Sequence, residues 1–169
     1  MITRIVEQVL RSPIDRVYVV TGPDRERLTA ALAGRRVEFV TNPSAEGEML
    51  TSVREGLRAL PGTCAAILVV LGDQPGLTAE VIARLIQAYR AARPGIVVPT
   101  YRGQRGHPLL FDSRYREEIL TGYDHVGLRG LLRAHPEAVV EVAVESPGVL
   151  EDVDVPEDYR RIAGRGSGP

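Results

Sequence analysis

Apolar runs of strand length alternate with stretches of helical period along almost the whole chain, and this alternation constrains the fold more than any single motif. Ile2, Ile5, Val6, Val9 and Leu10 share one face at helical spacing, so the chain reads as opening inside a helix that Ser12-Pro13 ends. Strands are expected over residues 16–21, 37–41, 65–71, 96–99, 108–111, 139–144 and 149–153. Helices are expected over residues 24–33, 48–60, 78–92, 113–120, 127–134 and 156–162, the last started by Pro156. The β-α-β-α order predicts an α/β domain with a mostly parallel sheet and helices on both faces. The run AAILVVL at residues 65–71 is the most apolar of all and reads as a central strand buried on both faces.

A chain of 169 residues suits one domain, expected over residues 1–163 with residues 164–169 (GRGSGP) as a disordered tail. The 21 basic and 22 acidic side chains leave a formal charge of -1, which argues against a nucleic-acid or membrane-surface partner. Cys64 is the one cysteine, so neither an internal disulfide nor a thiolate zinc site is expected, and a reducing cytoplasm is the natural compartment. Arg4 and Glu7 interrupt the opening apolar residues, which form neither a signal peptide nor a membrane span.

In open α/β sheets ligands bind beyond the carboxyl ends of the strands, so the residues just after each strand are the ones to inspect. Asp73 follows the apolar run, in Leu71-Gly72-Asp73-Gln74-Pro75. A half-solvated carboxylate there suits Mg²⁺, which takes one or two carboxylates plus substrate phosphate oxygens. The competing assignment is a turn cap. Asp152 and Asp154 alternate with Val153 and would point to one side of an extended chain, as a cation site or, alternatively, with Asp154 capping the helix begun by Pro156. The segment Arg102-Gly103-Gln104-Arg105-Gly106-His107-Pro108 combines arginine forks with glycines that let backbone amides approach a phosphate, or is a solvated hairpin tip. Ser52 lies early in a helix that follows a loop bearing Gly47, where free amides can meet an anion, or it is a capping serine. No GxGxxG, Walker loop or Ser-His-Asp arrangement is visible.

Four segments taken in order resemble a known family: Asn42 with Glu46-Gly47 and Thr51-Ser52-Val53-Arg54-Glu55-Gly56-Leu57; Leu71-Gly72-Asp73-Gln74-Pro75; Gly106-His107-Pro108-Leu109-Leu110-Phe111; and Asp152-Val153-Asp154-Val155-Pro156-Glu157-Asp158. Together they are similar to the molybdenum-cofactor nucleotidylyltransferases, the cytidylyltransferase branch more than the guanylyltransferase branch. The resemblance implies a Rossmann-like nucleotide-diphospho-sugar transferase fold. It also implies Mg²⁺-dependent attack of a molybdopterin-type phosphate on the α-phosphorus of CTP, in preference to GTP, with release of pyrophosphate. In that scheme Asp73 is the catalytic metal carboxylate and Asp152 and Asp154 form the second metal segment. Gly47, Ser52 and Gly72 fall at the nucleotide, and Gly106 and His107 near the acceptor.

The family's opening strand and glycine-rich loop, roughly Leu-Ala-Ala-Gly-x-Ser-x-Arg-Met-Gly, have no counterpart here, and Met1 falls where the family's first helix would begin. The resemblance therefore implies a domain without its first strand, truncated at the amino end. Residues 16–21 and 65–71 would then flank a gap or pair directly. Transfer by the chain as given is expected to be weak, because such a loop supplies the amides that offset charge at the transferring phosphorus. The alternative is a nucleotide- or pterin-binding module without catalysis that assists a molybdenum enzyme. The partner would be that enzyme or a second copy of the chain.

Overall fold

The computed structural model describes residues 1–22, 25–44 and 48–150. Helix α1 spans Ile2–Leu10 and buries Ile5, Val6 and Val9. Two short parallel strands follow, β1 (Tyr18–Thr21) and β2 (Glu38–Thr41), joined by α2 (Arg25–Ala31). Helix α3 (Met49–Ala59) leads to β3 (Ala66–Val69), and α4 (Ala79–Ala92) leads to β4 (Ile96–Tyr101). The chain continues through β5 (Gln104–Arg105), β6 (Leu109–Asp112), α5 (Arg116–Thr121), α6 (Arg129–Ala134) and β7 (Val139–Ala143). A 3-10 turn, Pro147–Leu150, ends the described chain.

The alternation of side chains along each strand sorts the core into two layers. Leu68, Val97 and Leu110 face one way, toward Ile5 and Val9 of α1 and Val81, Ile82, Leu85 and Ile86 of α4. Ile67, Val69, Ile96, Val98, Leu109 and Phe111 face the other way, toward Leu50 and Leu57 of α3 and Ile119 and Leu131 of α5 and α6. Helices therefore cover both faces, as expected. Each fully buried Leu or Ile adds about 1.5–3 kcal/mol. Helix α4 starts as its sequence predicts: the Thr78 hydroxyl accepts from the Val81 amide, and Gln8 Oε1 of α1 accepts from the Ala79 amide at 3.0 Å. Among the described residues no helix is long and apolar enough to cross a membrane.

Three expectations need correction. The five-stranded sheet is mixed: β3, β4 and β7 run one way, but the antiparallel β6 stands between β3 and β4, and β5 folds back on β4. The apolar β3 is not a strand buried on both faces. It pairs with β6 alone among the described residues, stands at an edge, and all four of its residues are half-buried. Of the two alternatives for residues 16–21 and 65–71 the direct pair does not form: β1 and β2 make a two-stranded sheet separate from that of β3, as the gap alternative expects, and α1 and α3 pack against both units. The strand expected at residues 149–153 is instead a 3-10 turn up to Leu150, because Gly148 presses against Gly76 and its carbonyl is taken by a side chain. Residues 151–153, the helix expected at 156–162 and the tail at 164–169 lie outside the described residues.

Candidate active site

Strand direction and register bring three loops to one edge of the sheet. β3 pairs with β6 so that Val69 faces Leu109, which sets the end of β3 beside the start of β6. The loop 70–77 after β3 and the loop 106–108 before β6 therefore meet. β7 is parallel to β4, so the turn Pro147–Leu150 emerges at that same edge.

Pro99 explains why the loop before β6 leaves the sheet. Within a strand, a residue's N–H and C=O point to the same side. The Pro99 carbonyl accepts from the Gly106 amide at 2.9 Å, so its missing N–H lies on that side too. The antiparallel ladder on β4 breaks there, between Thr100 facing Arg105 and Val97 facing Leu110. Gly106, His107 and Pro108 bulge from the sheet, and the His107 amide donates instead to the Val149 carbonyl at 2.8 Å.

The three loops close on Gln74, which is fully buried. Its Nε2 donates to the Gly148 carbonyl at 2.9 Å and to the His107 carbonyl at 3.4 Å. Glycine is required at two points of this junction. A Cβ on Gly106 would lie 2.1 Å from the Val149 carbonyl oxygen, and one on Gly148 would lie 2.3 Å from that of Gly76.

Asp73 stands on this junction, half-buried and without a hydrogen bond or ion pair among the described residues. Gly72 beside it is exposed and approaches Ile2 of α1. His107 is half-buried at the same edge. Ser52 belongs to a second group. Asn42, which is 3% exposed just past β2, donates from Nδ2 to Ser52 Oγ and Thr51 Oγ1, each at 3.0 Å, while its Oδ1 accepts from the Ser44 amide. No hydrogen bond between described residues joins this group to the Asp73 junction. Gly47, Asp152 and Asp154 lie outside the described residues.

The arginines of the hairpin are engaged elsewhere. Arg102 and Gly103 both take positive φ, 49° and 79°, which makes a tight two-residue turn. Arg102 lies over the Tyr101 ring, and Arg105 pairs with Glu141 of β7 at 2.7 Å. This is the solvated-tip alternative. A cavity of about 300 Å³ lies near Arg16, Val17, Arg36 and Glu38, at the amino ends of β1 and β2, away from every candidate residue.

Among the described residues no three His, Cys, Asp or Glu side chains group closely enough to cage a metal. One unpartnered, half-buried carboxylate instead suits a metal carried largely by a substrate's phosphates. Asp73 and His107 were legible in the sequence as site residues, whereas Asn42 and Gln74 stood within the family-like segments with no role of their own and Gly148 carried no signal. Gln74 was visible only as a polar residue between an Asp and a Pro.

An α/β domain with its polar loops gathered at one edge of the sheet, beyond the carboxyl ends of β3 and β7, has its ligand-binding edge there. Residues 1–139 match the MobA-like NTP transferase domain, and the chain belongs to that family. It is 30% identical to nicotine blue oxidoreductase of Paenarthrobacter nicotinovorans over 166 residues, covering 92% of this chain and 79% of that protein. It is 28% identical to phosphoenolpyruvate guanylyltransferase of Mycolicibacterium paratuberculosis over 171 residues, covering 99% and 74%. Among solved structures it is similar to Rv0371c of Mycobacterium tuberculosis H37Rv, with TM-score 0.80 and 26% identity over 96% of this chain and 83% of that one. Rv0371c has also been solved in complex with manganese, and that structure superposes with TM-score 0.77 at 25% identity, over 95% of this chain and 84% of that one. The fold is that of the nucleotide-diphospho-sugar transferases.

Proposed function

We propose that this chain binds a nucleoside triphosphate with Mg²⁺ and serves transfer of its nucleoside monophosphate to a phosphate-bearing acceptor. CTP is the donor we favour, and a molybdopterin-type phosphate the acceptor. In the transfer, an acceptor phosphate oxygen bonds to the α-phosphorus, the bond to the β-phosphate oxygen breaks, and pyrophosphate leaves with that electron pair. Asp73 would hold the metal, joined by Asp152 or Asp154. Ser52, Gly47 and Gly72 would face the nucleotide, and Gly106 and His107 the acceptor.

The observation that carries this reading is the junction at Gln74. It sets the Asp73 carboxylate, which has no hydrogen bond or ion pair among the described residues, at one edge of the sheet with the His107 loop and the turn Pro147–Leu150. The manganese complex of Rv0371c supports a divalent metal. The guanylyltransferase among the relatives keeps GTP as the competing donor.

The test is calorimetric titration of the chain with CTP and with GTP, each with Mg²⁺ and with EDTA, beside an assay of pyrophosphate release in the presence of molybdopterin. Mg²⁺-dependent binding with CTP ahead of GTP, and only weak release of pyrophosphate that requires the acceptor, is the expected result. Tight binding with no release would favour the non-catalytic binding module. Failure to bind either nucleotide would overturn the reading.

A further inference from the structure

Gln74 is the most deeply enclosed polar side chain among the described residues. It does not follow the rule that a buried amide satisfies both ends. Nε2 reaches the Gly148 and His107 carbonyls, but Oε1 has no hydrogen-bond partner among the described residues. Packing alone would be met better by Met, which is unbranched, of similar length, and buries no orphan acceptor. A glutamine is explained by what its amide holds. Its two acceptors are backbone atoms of separate segments, one before β6 and one after β7, and Asp73 is its neighbour in the chain. The junction is also tight: Gly106 and Gly148 have no room for a Cβ, and the His107 amide is held by Val149 at 2.8 Å. The loops around it are therefore braced against one another, and the Asp73 carboxylate inherits its position from them.

We infer that Gln74 is a positioning residue, one that holds the Asp73 carboxylate in fixed relation to the His107 loop without touching the ligand. This rests on the reading of the site as a metal–nucleotide site. It adds that metal binding at Asp73 and acceptor binding at His107 are mechanically coupled through one amide. A group that orients a metal ligand from behind is worth about 10- to 100-fold in metal affinity.

The experiment uses the full chain and the variant Gln74→Met, each titrated with CTP and GTP in Mg²⁺ and again in EDTA. Exchange of the His107 and Val149 amides is followed alongside that of amides in α4. The expected result is a 10- to 100-fold loss of Mg²⁺–nucleotide affinity, little change in EDTA, and faster exchange confined to the junction. Gln74→Asn keeps the amide on a shorter stem; should the Met variant fail to fold, it carries the same titrations, with an intermediate loss expected. Wild-type affinity in the variant overturns the inference and leaves the functional reading intact. An equal loss with and without Mg²⁺, or faster exchange throughout α4, reduces Gln74 to a structural residue and overturns it as well. A wild-type chain that binds neither nucleotide overturns the functional reading, and this inference with it.

Discussion

Arg54 and Asp124 form an ion pair at 2.8 Å that fastens α3 to the loop between α5 and α6. The same guanidinium donates from Nε to the Ile119 carbonyl at 2.9 Å and from Nη2 to the Gly122 carbonyl at 2.6 Å. Asp124 is exposed, so the pair itself adds little, but the Arg54 side chain is only 15% exposed and its carbonyl bonds are sheltered. A lysine cannot serve three acceptors in one plane. Arg54→Lys should cost about 1.5–3 kcal/mol, read as a lower urea midpoint at unchanged slope. An unmoved midpoint would mean that the fork does not hold in solution.

Replacement of Asp73 by Ala removes a carboxylate that has no hydrogen bond or ion pair among the described residues. Stability should stay within about 0.5 kcal/mol of wild type, while Mg²⁺-dependent nucleotide affinity falls at least about tenfold. Calorimetry and thermal melting on the same samples decide it. A large fall in melting temperature with unchanged affinity would make Asp73 a turn cap.

Gly106→Ala forces a Cβ against the Val149 carbonyl oxygen, which already accepts the His107 amide. Neither backbone can give way without losing that bond, so a cost above about 2 kcal/mol is expected. Gly62→Ala, which meets nothing within 4 Å, should be close to neutral. Equal urea midpoints for the two variants would contradict the tight junction.

The acid limb of stability should depend on Glu118. The Tyr123 hydroxyl and then His135 hold its carboxyl below the ordinary value of 4.5. A lowered folded pKa stabilises the fold above the unfolded value and is lost as pH falls through the folded one. Glu118→Gln should therefore flatten the loss of stability below about pH 4.5, modestly, since the group is 40% exposed. Burial, then Glu118, pushes the Tyr123 phenol up to about 12. That contribution is present below pH 10 and lost as pH rises toward 12, so Tyr123→Phe should flatten the alkaline limb. Denaturant midpoints across the two limbs check both, and parallel curves for wild type and variants would refute the assignment.

The legible parts of this chain are those where a local signal and its consequence lie within a few residues. Thr78 capping α4 is one, and so is the helical stripe of Ile5, Val6 and Val9. Asp73 was found because a carboxylate just past an apolar strand is conspicuous at any tertiary arrangement. Hydrophobicity alone misplaced β3. An apolar run reports that a segment avoids water, not how many strands flank it, and helices on both faces can shelter an edge strand in part.

Local periodicity was enough to establish an α/β domain with helices over both faces and a polar loop after β3, because side-chain period and capping are properties of neighbouring residues. Long-range contact settled the rest. The antiparallel insertion of β6 rests on its pairing with β3 and β4, and the side chain of buried Gln74 is held by carbonyls 33 and 74 residues away. Which backbone acceptor a buried side chain meets is a matter of register and loop closure, and no local pattern of residues encodes it.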